Sequence, residues 1–373
     1  MVDIARKNLF HDRVRLAITL VGVTFSVVLI FSQLGIYLGF MQNAASIIDH
    51  AEADLWITSY RSVNFNFSLP FPERKINKVK EVPGVLWAEK LILGWALFKK
   101  KNGGTENVEM IGFNPDTGIG GPWAMQEGSA RDAKPARSII VDAGDDRKLG
   151  GLRVGDSVEI LNSKVKVVGI SKGIKGFATA PFVFTSYKTA QEIVPWIGDK
   201  TVFILVKVAP GYDPGDVAAE IKKIKDVDVY TREQYSLKTK LYWTRETGMG
   251  VGFGITILMG IIVGMVIVGQ TLYTATVEHL REFGTLKAIG ARNREIYGII
   301  AKQALINAVV GFAMGLLITL VMVKGYASTG MTMLLTPALV VGVFFLTTAM
   351  CLAASVISVR KALRVDPVIV FRA

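Results

Sequence analysis

Polar and apolar positions fall into two regimes along this chain. No Asp, Glu, Lys, Arg or His occurs from Leu16 to Phe40, Gly248 to Val277, Gln303 to Val323 or Gly325 to Val359. Each stretch reaches the roughly 20 residues that an α-helix needs to cross about 30 Å of hydrocarbon. The pattern predicts four transmembrane helices, over 16–40, 249–277, 299–323 and 336–359, with a short link at 324–335.

Residues 41–248 follow other periods. ADLWITSY alternates as a strand, PERKINKVKEVPGV reads as a helix closed by Pro83 and Gly84, and LWAEKLILGWALF reads as strand again. TVFILVKVAP, then DPGDVAAEIKKIKDVDV with Asp213 or Asp216 as helix start, then VYTREQY repeat that order. Two βαβ halves around an insertion predict a split ferredoxin-like domain. The insertion, about 114–196, has short alternating runs and Gly turns, which predict a β-rich subdomain. The flanks QNAASIIDHAEA and QYSLKTKLYWTRETG read as helices able to prolong the first two spans as a stalk. The expected fold class is an α-helical membrane protein with four transmembrane helices plus an α+β extracytoplasmic domain.

Composition agrees: 373 residues are 51% hydrophobic with mean hydropathy +0.40, too apolar for a soluble chain of this length. Lys and Arg set the orientation. Arg6, Lys7, Arg13 and Arg15 precede the first span, Arg281, Lys287, Arg292 and Arg294 lie between the second and third, and Arg360, Lys361, Arg364 and Arg372 follow the fourth. The 324–335 link offers only Lys324. Both termini and the 278–298 loop are therefore expected in the cytoplasm and the 41–248 domain outside. About half of the net charge of +12 comes from these clusters and the rest is spread thinly over the outer domain among acidic residues, which argues against nucleic acid as a partner. The first apolar run is longer than a signal-peptide core, so an uncleaved anchor is expected. Residues 1–15, MVDIARKNLFHDRVR, fit either an amphipathic helix on the inner leaflet or a plain anchor flank. Cys351, in the last span, is the only cysteine, so the outer domain must hold together without a disulfide.

Catalytic and cofactor signatures are missing. No G-x-x-x-x-G-K-[ST] occurs, and His11, His50 and His279 are far apart with no Cys or paired carboxylates at ligand spacing. GMGVGFG at 248–254 opens a membrane span, not the helix of a dinucleotide-binding unit. The pairs Gly35 and Gly39, Gly260 and Gly264, and Gly311 and Gly315 each place small residues on one helix face. They suit close packing within one subunit or a dimer seam. Charge-free spans lack the intramembrane groups that ion-coupled carriers use, so energy is expected from elsewhere.

The candidate entry point is 278–303, EHLREFGTLKAIGARNREIYGIIAKQ. Leu280, Phe283, Leu286 and Ile289 recur at three-residue steps, with Arg281, Glu282 and Lys287 on other faces. Gly290 suits a left-handed C-cap, and Asn293 before Glu295 suits an N-cap for the next helix. On these grounds the segment is either a lever pushed by a partner protein or a helix resting on lipid headgroups.

HLREFGTLKAIGARNREI resembles the cytoplasmic loop of the MacB, LolC/LolE and FtsX family of ABC permeases, whose pattern is R-x-x-E-(I/F)-G-x-x-(K/R)-A-(I/L)-G-A. The Arg here stands directly before Glu282, a departure at the start of the pattern. The tail SVRKALRVDPVIVFRA is similar to that family's C-terminus at Asp366, Pro367, Phe371 and Arg372. The start, ARKNLFHDRVRLAITLVGVTFSVVLIFSQLGIYLGF, looks most like DevC-type permeases. The resemblance implies that Glu278, Leu280, Arg281, Glu282, Phe283, Thr285, Leu286, Lys287, Ala288, Ile289, Gly290 and Ala291 meet an ATPase. It assigns a tail contact to Arg360, Asp366, Pro367, Phe371 and Arg372.

It further implies a non-enzymatic, mechanotransmitting permease in the bacterial inner membrane, with no cofactor on this chain and ATP and Mg on a separate ATPase dimer. The implied partners are a second copy of the chain, a periplasmic membrane-fusion adaptor, an outer-membrane TolC-like channel and membrane lipids, with a lipid-like or amphiphilic cargo. An FtsX-like subunit that activates an envelope hydrolase without transport is the alternative.

Overall fold

A computed structural model of the chain describes residues 12–176, 180–194, 196–327 and 331–362. The segment 1–11 and the tail residues Asp366, Pro367, Phe371 and Arg372 lie outside the described residues. The chain forms two compact units, one from the residues up to Gly39 with those from Gly250 onward, the other Phe40–Met249.

The first unit holds the spans. Among the described residues four helices are long and apolar enough to cross a membrane: Arg13–Ala44, Met249–Glu278, Asn293–Tyr326 and Pro337–Val356. They bury Val23, Val27 and Phe31 of the first against Val268 and Leu272 of the second, Ala304 and Ala308 of the third, and Val343 and Met350 of the fourth. Val21, Phe25, Val266, Val321 and Phe345 stay exposed on the outside of the bundle, which hydrocarbon tolerates and water would not. Four buried hydroxyls return to their own helix, Ser26 to Gly22 O, Thr276 to Leu272 O, Thr319 to Gly315 O and Thr347 to Val343 O, whereas Thr24 Oγ1 donates across to Gly311 O of the third helix at 3.4 Å.

The second unit is built on strands β1 (Leu55–Ser59), β2 (Phe71–Pro72), β3 (Val85–Lys99), β4 (Thr105–Phe113), β5 (Met125–Glu127), β6 (Ser138–Asp142), β7 (Ser157–Ile160), β8 (Ser163–Ser171), β9 (Phe182–Ser186), β10 (Lys200–Thr201), β11 (Phe203–Val208) and β12 (Val227–Thr231). The βαβ halves are β1, helix Lys75–Lys80 and β3, then β11, helix Pro214–Ile221 and β12. Their strands lie in the order β12-β1-β11-β3 and every neighbour is antiparallel, the arrangement of a ferredoxin-like sheet. Asp213 rather than Asp216 starts the second helix, its carboxylate accepting from Gly215 N and Asp216 N with Pro214 next. Gly84 ends the first connection at φ +89, where the Tyr212 ring occupies the place a Cβ would need.

The insertion grows out of β3 itself. Residues up to Leu91 pair with β11, whereas Ile92–Lys99 pair with β4, and β4 leads through parallel β9 to β6, β8 and β5. One strand thus joins the ferredoxin-like part of the sheet to the insertion, and the core is continuous across the two from Trp56 and Phe203 to Phe184 and Ile140.

One strand reading is corrected. VYTREQY is a strand only to Thr231, where a capping box (Thr231 Oγ1 accepting from Gln234 N, Gln234 Oε1 from Thr231 N) starts the helix Arg232–Leu241. Tyr235 of that helix is fully buried against Trp56 and Tyr230, and its hydroxyl meets Ser68 Oγ at 2.9 Å. A π-helical turn, Tyr242–Glu246, follows it.

Candidate functional site

The loop between the second and third spans folds as a nearly unbroken continuation of the second. His279 N donates to Ala275 O and Phe283 N to His279 O, bridging the end of the span at Glu278 to a short helix, Leu280–Ala288. That helix ends as its glycine requires. Gly290 sits at φ +104, and Ala291 N reaches back to Leu286 O at 2.9 Å, the six-to-one bond of a Schellman turn. The third span then begins at Asn293. Asn293 is therefore inside the helix, not its cap. Arg292 holds the cap position, and its N–H donates to Glu295 Oε2 at 2.9 Å.

The apolar residues of this helix do not form one open face. Phe283 is 5% exposed and packs with Ile296 and Ile300 of the third span and Val359 of the fourth, with Leu286 at the margin. Ile289 is 80% exposed on the turn. Arg281, Glu282, Thr285 and Gly290 are also exposed. The helix is thus fastened to its own bundle by Phe283 and presents a mixed surface of Arg281, Glu282, Thr285 and Ile289. Leu280, Lys287 and Ala288 contribute backbone to it.

Glu278 does not belong to that surface. Its Oε2 lies 2.6 Å from Arg15 Nη2, and Arg15 also pairs with Asp12 at 3.2 Å, so the first span is clamped to the second where the short helix departs. Above this clamp Thr19, Thr271, Gln303 and Asn307 line a cavity of about 30 Å³, room for about one water. Asn307 is 1% exposed and its Oδ1 has no protein partner, so such a water would satisfy it. These amides escape a reading based on charge alone; their place in an otherwise aliphatic run is the signal that marks them. Arg360 lies exposed near the end of the helix Pro337–Ala362.

The three glycine pairs are filled from within the chain. Gly311 and Gly315 receive Val23 and Val27 of the first span, Gly264 receives Met350 Sδ and Ser26 Oγ, and Gly260 receives Leu29. Gly35 and Gly39 take the extended link ahead of the fourth span, with Leu334 N donating to Gly35 O and the Thr332 backbone against Gly39.

In the large domain the most perturbed acid is Glu109 on β4. It is 1% exposed, and burial pushes its carboxyl up to about 8, against a lowering by Asn66 Nδ2, which donates to both its oxygens at 3.1 and 3.2 Å. Asp145 is likewise raised by burial, to about 6, with Lys148 at 3.7 Å opposing. Neither acid has a nucleophile or a second acid in hydrogen-bond contact, and among the described residues no His, Cys, Asp and Glu group could hold a metal ion.

Comparison with known proteins places this geometry. Residues 16–224 match the MacB-like periplasmic core domain, and residues 254–367 match the FtsX-like permease C-terminal domain. An uncharacterized ABC transporter permease of Mycobacterium tuberculosis is 26% identical over 98% of this chain and 98% of its own length. The macrolide export ATP-binding/permease protein MacB of Agrobacterium fabrum is 22% identical over 62% of this chain and 38% of that protein. The crystal structure of the periplasmic region of MacB from Actinobacillus actinomycetemcomitans covers 50% of this chain and 94% of that one at 11% identity, with a TM-score of 0.39. The two domain matches together take in both the strand-rich domain and the last three spans with the loop that bears Phe283 and Gly290, and the chain belongs to the MacB/FtsX-type family of ABC transporter permeases.

Proposed function

We propose that this permease is the mechanically transmitting subunit of an ATP-driven exporter of a lipid-like or amphiphilic cargo, set in the bacterial inner membrane with both termini and the 278–298 loop in the cytoplasm. A separate ATPase dimer binds the loop, two copies of the permease form the membrane part, and a periplasmic adaptor, with a TolC-like channel beyond it, receives the cargo. The observation that carries this reading is the mounting of helix Leu280–Ala288. It is anchored by Phe283 to the third and fourth spans, joined to the second through His279 and held by a Schellman turn at Gly290. Mounted in this way, it is able to pass a push on its exposed side to the spans.

The exposed residues, not Phe283, are the ones to change. Ile289→Asp with Arg281→Glu is expected to lower co-purification of the ATPase by about tenfold or more while the melting of the permease stays unchanged. Retention of the ATPase at wild-type level would sink the assignment. The signalling alternative separates in a deletion strain: a change in envelope lipids or secreted small molecules supports export, and a change in peptidoglycan cleavage alone supports an FtsX-like role.

A further inference from the structure

The large domain carries a groove that coupling to an ATPase does not use. Its volume is about 810 Å³, within the range of small-molecule sites, and it lies beside the helix Arg232–Leu241 and the π-helical turn that follows. That helix buries Tyr235, Ser236 and Thr239 on one side. Leu237 faces the other way and is 57% exposed; with Val63, 46% exposed, and Tyr242 it gives the groove an apolar wall. A leucine so placed serves no core. Single-turn π geometry, which costs hydrogen-bond quality, recurs where a helix shapes a functional site.

The polar lining is unbalanced. Lys222, Lys238 and Arg245 border the groove against one carboxylate, Glu246, and among the described residues none of the three cations is in an ion pair. Lys238 is held in place by neutral groups. Its Nζ donates to Ser62 O at 2.7 Å and Tyr230 Oη at 2.6 Å, and it sits 4.4 Å over the Tyr230 ring. An ammonium has three protons, so one donor is left for an incoming acceptor, already oriented.

We propose that this groove binds an anionic amphiphile, its apolar body against Val63, Leu237 and Tyr242 and its anionic head on Lys222, Lys238 and Arg245. As a cargo site it rests on the export reading above; as a binding site it does not. A second copy of the chain with its two-fold axis through the groove is disfavoured as occupant, because it would face these cations with their own kind. A bilayer surface is the other occupant, and the test separates it by a photoreactive phosphatidylcholine.

The test uses the full chain in phosphatidylcholine nanodiscs, with a diazirine-bearing long-chain fatty acid as photoreactive probe and mass spectrometry of the labelled peptides. Label is expected on the peptides holding Val63 and Leu237–Arg245, displaced by excess dodecyl phosphate. Lys222→Glu with Arg245→Glu should cut that label by about tenfold while label on the spans is unchanged. The control Lys223→Glu, whose lysine pairs with Glu220 and does not line the groove, should leave it intact. The proposal is overturned if groove label is absent, if it survives the double charge reversal, or if a photoreactive phosphatidylcholine in the bilayer labels the groove equally. Cross-linking of two chains through Leu237→Cys, with loss of probe label, would likewise overturn it in favour of a second copy. ATPase co-purification is read separately, so the export reading and the groove can fail independently.

Discussion

Glu109 shows what a single misplaced charge does to this domain. Its carboxyl is buried on β4, and its hydrogen bonds come from Asn66, whose Oδ1 has no partner of its own. Burial raises its pKa to about 8 from the ordinary 4.5, so the folded chain keeps a proton that the unfolded chain has already lost. The unfolded state therefore binds fewer protons between those values, and stability falls as pH rises from about 4.5 to about 8 and levels off above. Glu109→Gln keeps the shape and the Asn66 contact but has no proton to lose. It is expected to flatten that slope and to leave the variant more stable than the parent at pH 8.5 by a few kcal/mol, with little difference at pH 5. Melting curves of the purified chain at the two pH values, followed by tryptophan fluorescence, check this. An unchanged slope would mean that Glu109 is ionised in the fold. From sequence, Glu109 is an ordinary alternating residue in TENVEMIGF, because its partner Asn66 is brought to it by a loop with no periodicity to read.

At the scale of elements, the legible parts are those with a period. The spans show as charge-free runs, and the two βαβ halves show by the short apolar strand runs of β1, β3 and β11 and by the Asp213–Pro214 start. The capped turn at Gly290 is legible too, since only glycine sits at φ +104 without a Cβ penalty. Gly290→Val should cost about 1–2 kcal/mol or more at the turn and lower both ATPase co-purification and stimulated hydrolysis, while Gly325→Ala, with open space around it, should change neither. Which apolar residue of the loop faces inward is not legible, because Phe283 and Ile289 share a stripe and the partners that select Phe283, namely Ile296, Ile300 and Val359, are set by how the third and fourth helices pack. The same holds for the glycine pairs, whose occupants Val23 and Val27 are known only once the first and third helices are side by side. Gly311→Leu with Gly315→Leu should therefore lower the melting temperature of the bundle itself, a result that separates intrachain packing from a dimer seam, where only the oligomeric state would move.

For the whole molecule, the question is what energy the spans can accept. No Asp, Glu, Lys, Arg or His lies within any of the charge-free runs, and the buried hydroxyls at Ser26, Thr276, Thr319 and Thr347 are bonded to the carbonyls of their own helices. A proton or cation crossing such a bundle would find no carboxylate, imidazole or amine to carry it, and each polar step would cost several kcal/mol in hydrocarbon. The buried amides Gln303 and Asn307 border a cavity of only about 30 Å³ beside the Arg15–Glu278 clamp. Under the proposed function, such a bundle is driven from the loop that holds Phe283 and Gly290. In proteoliposomes containing the permease with its ATPase, ATP should therefore move cargo with the proton gradient collapsed by an uncoupler, and an imposed pH gradient without ATP should move none. Breaking the clamp by Arg15→Gln should uncouple the two activities, leaving hydrolysis while transport falls, because the first span would no longer follow the second. Transport driven by the pH gradient alone would require a proton path through these helices and would refute the lever.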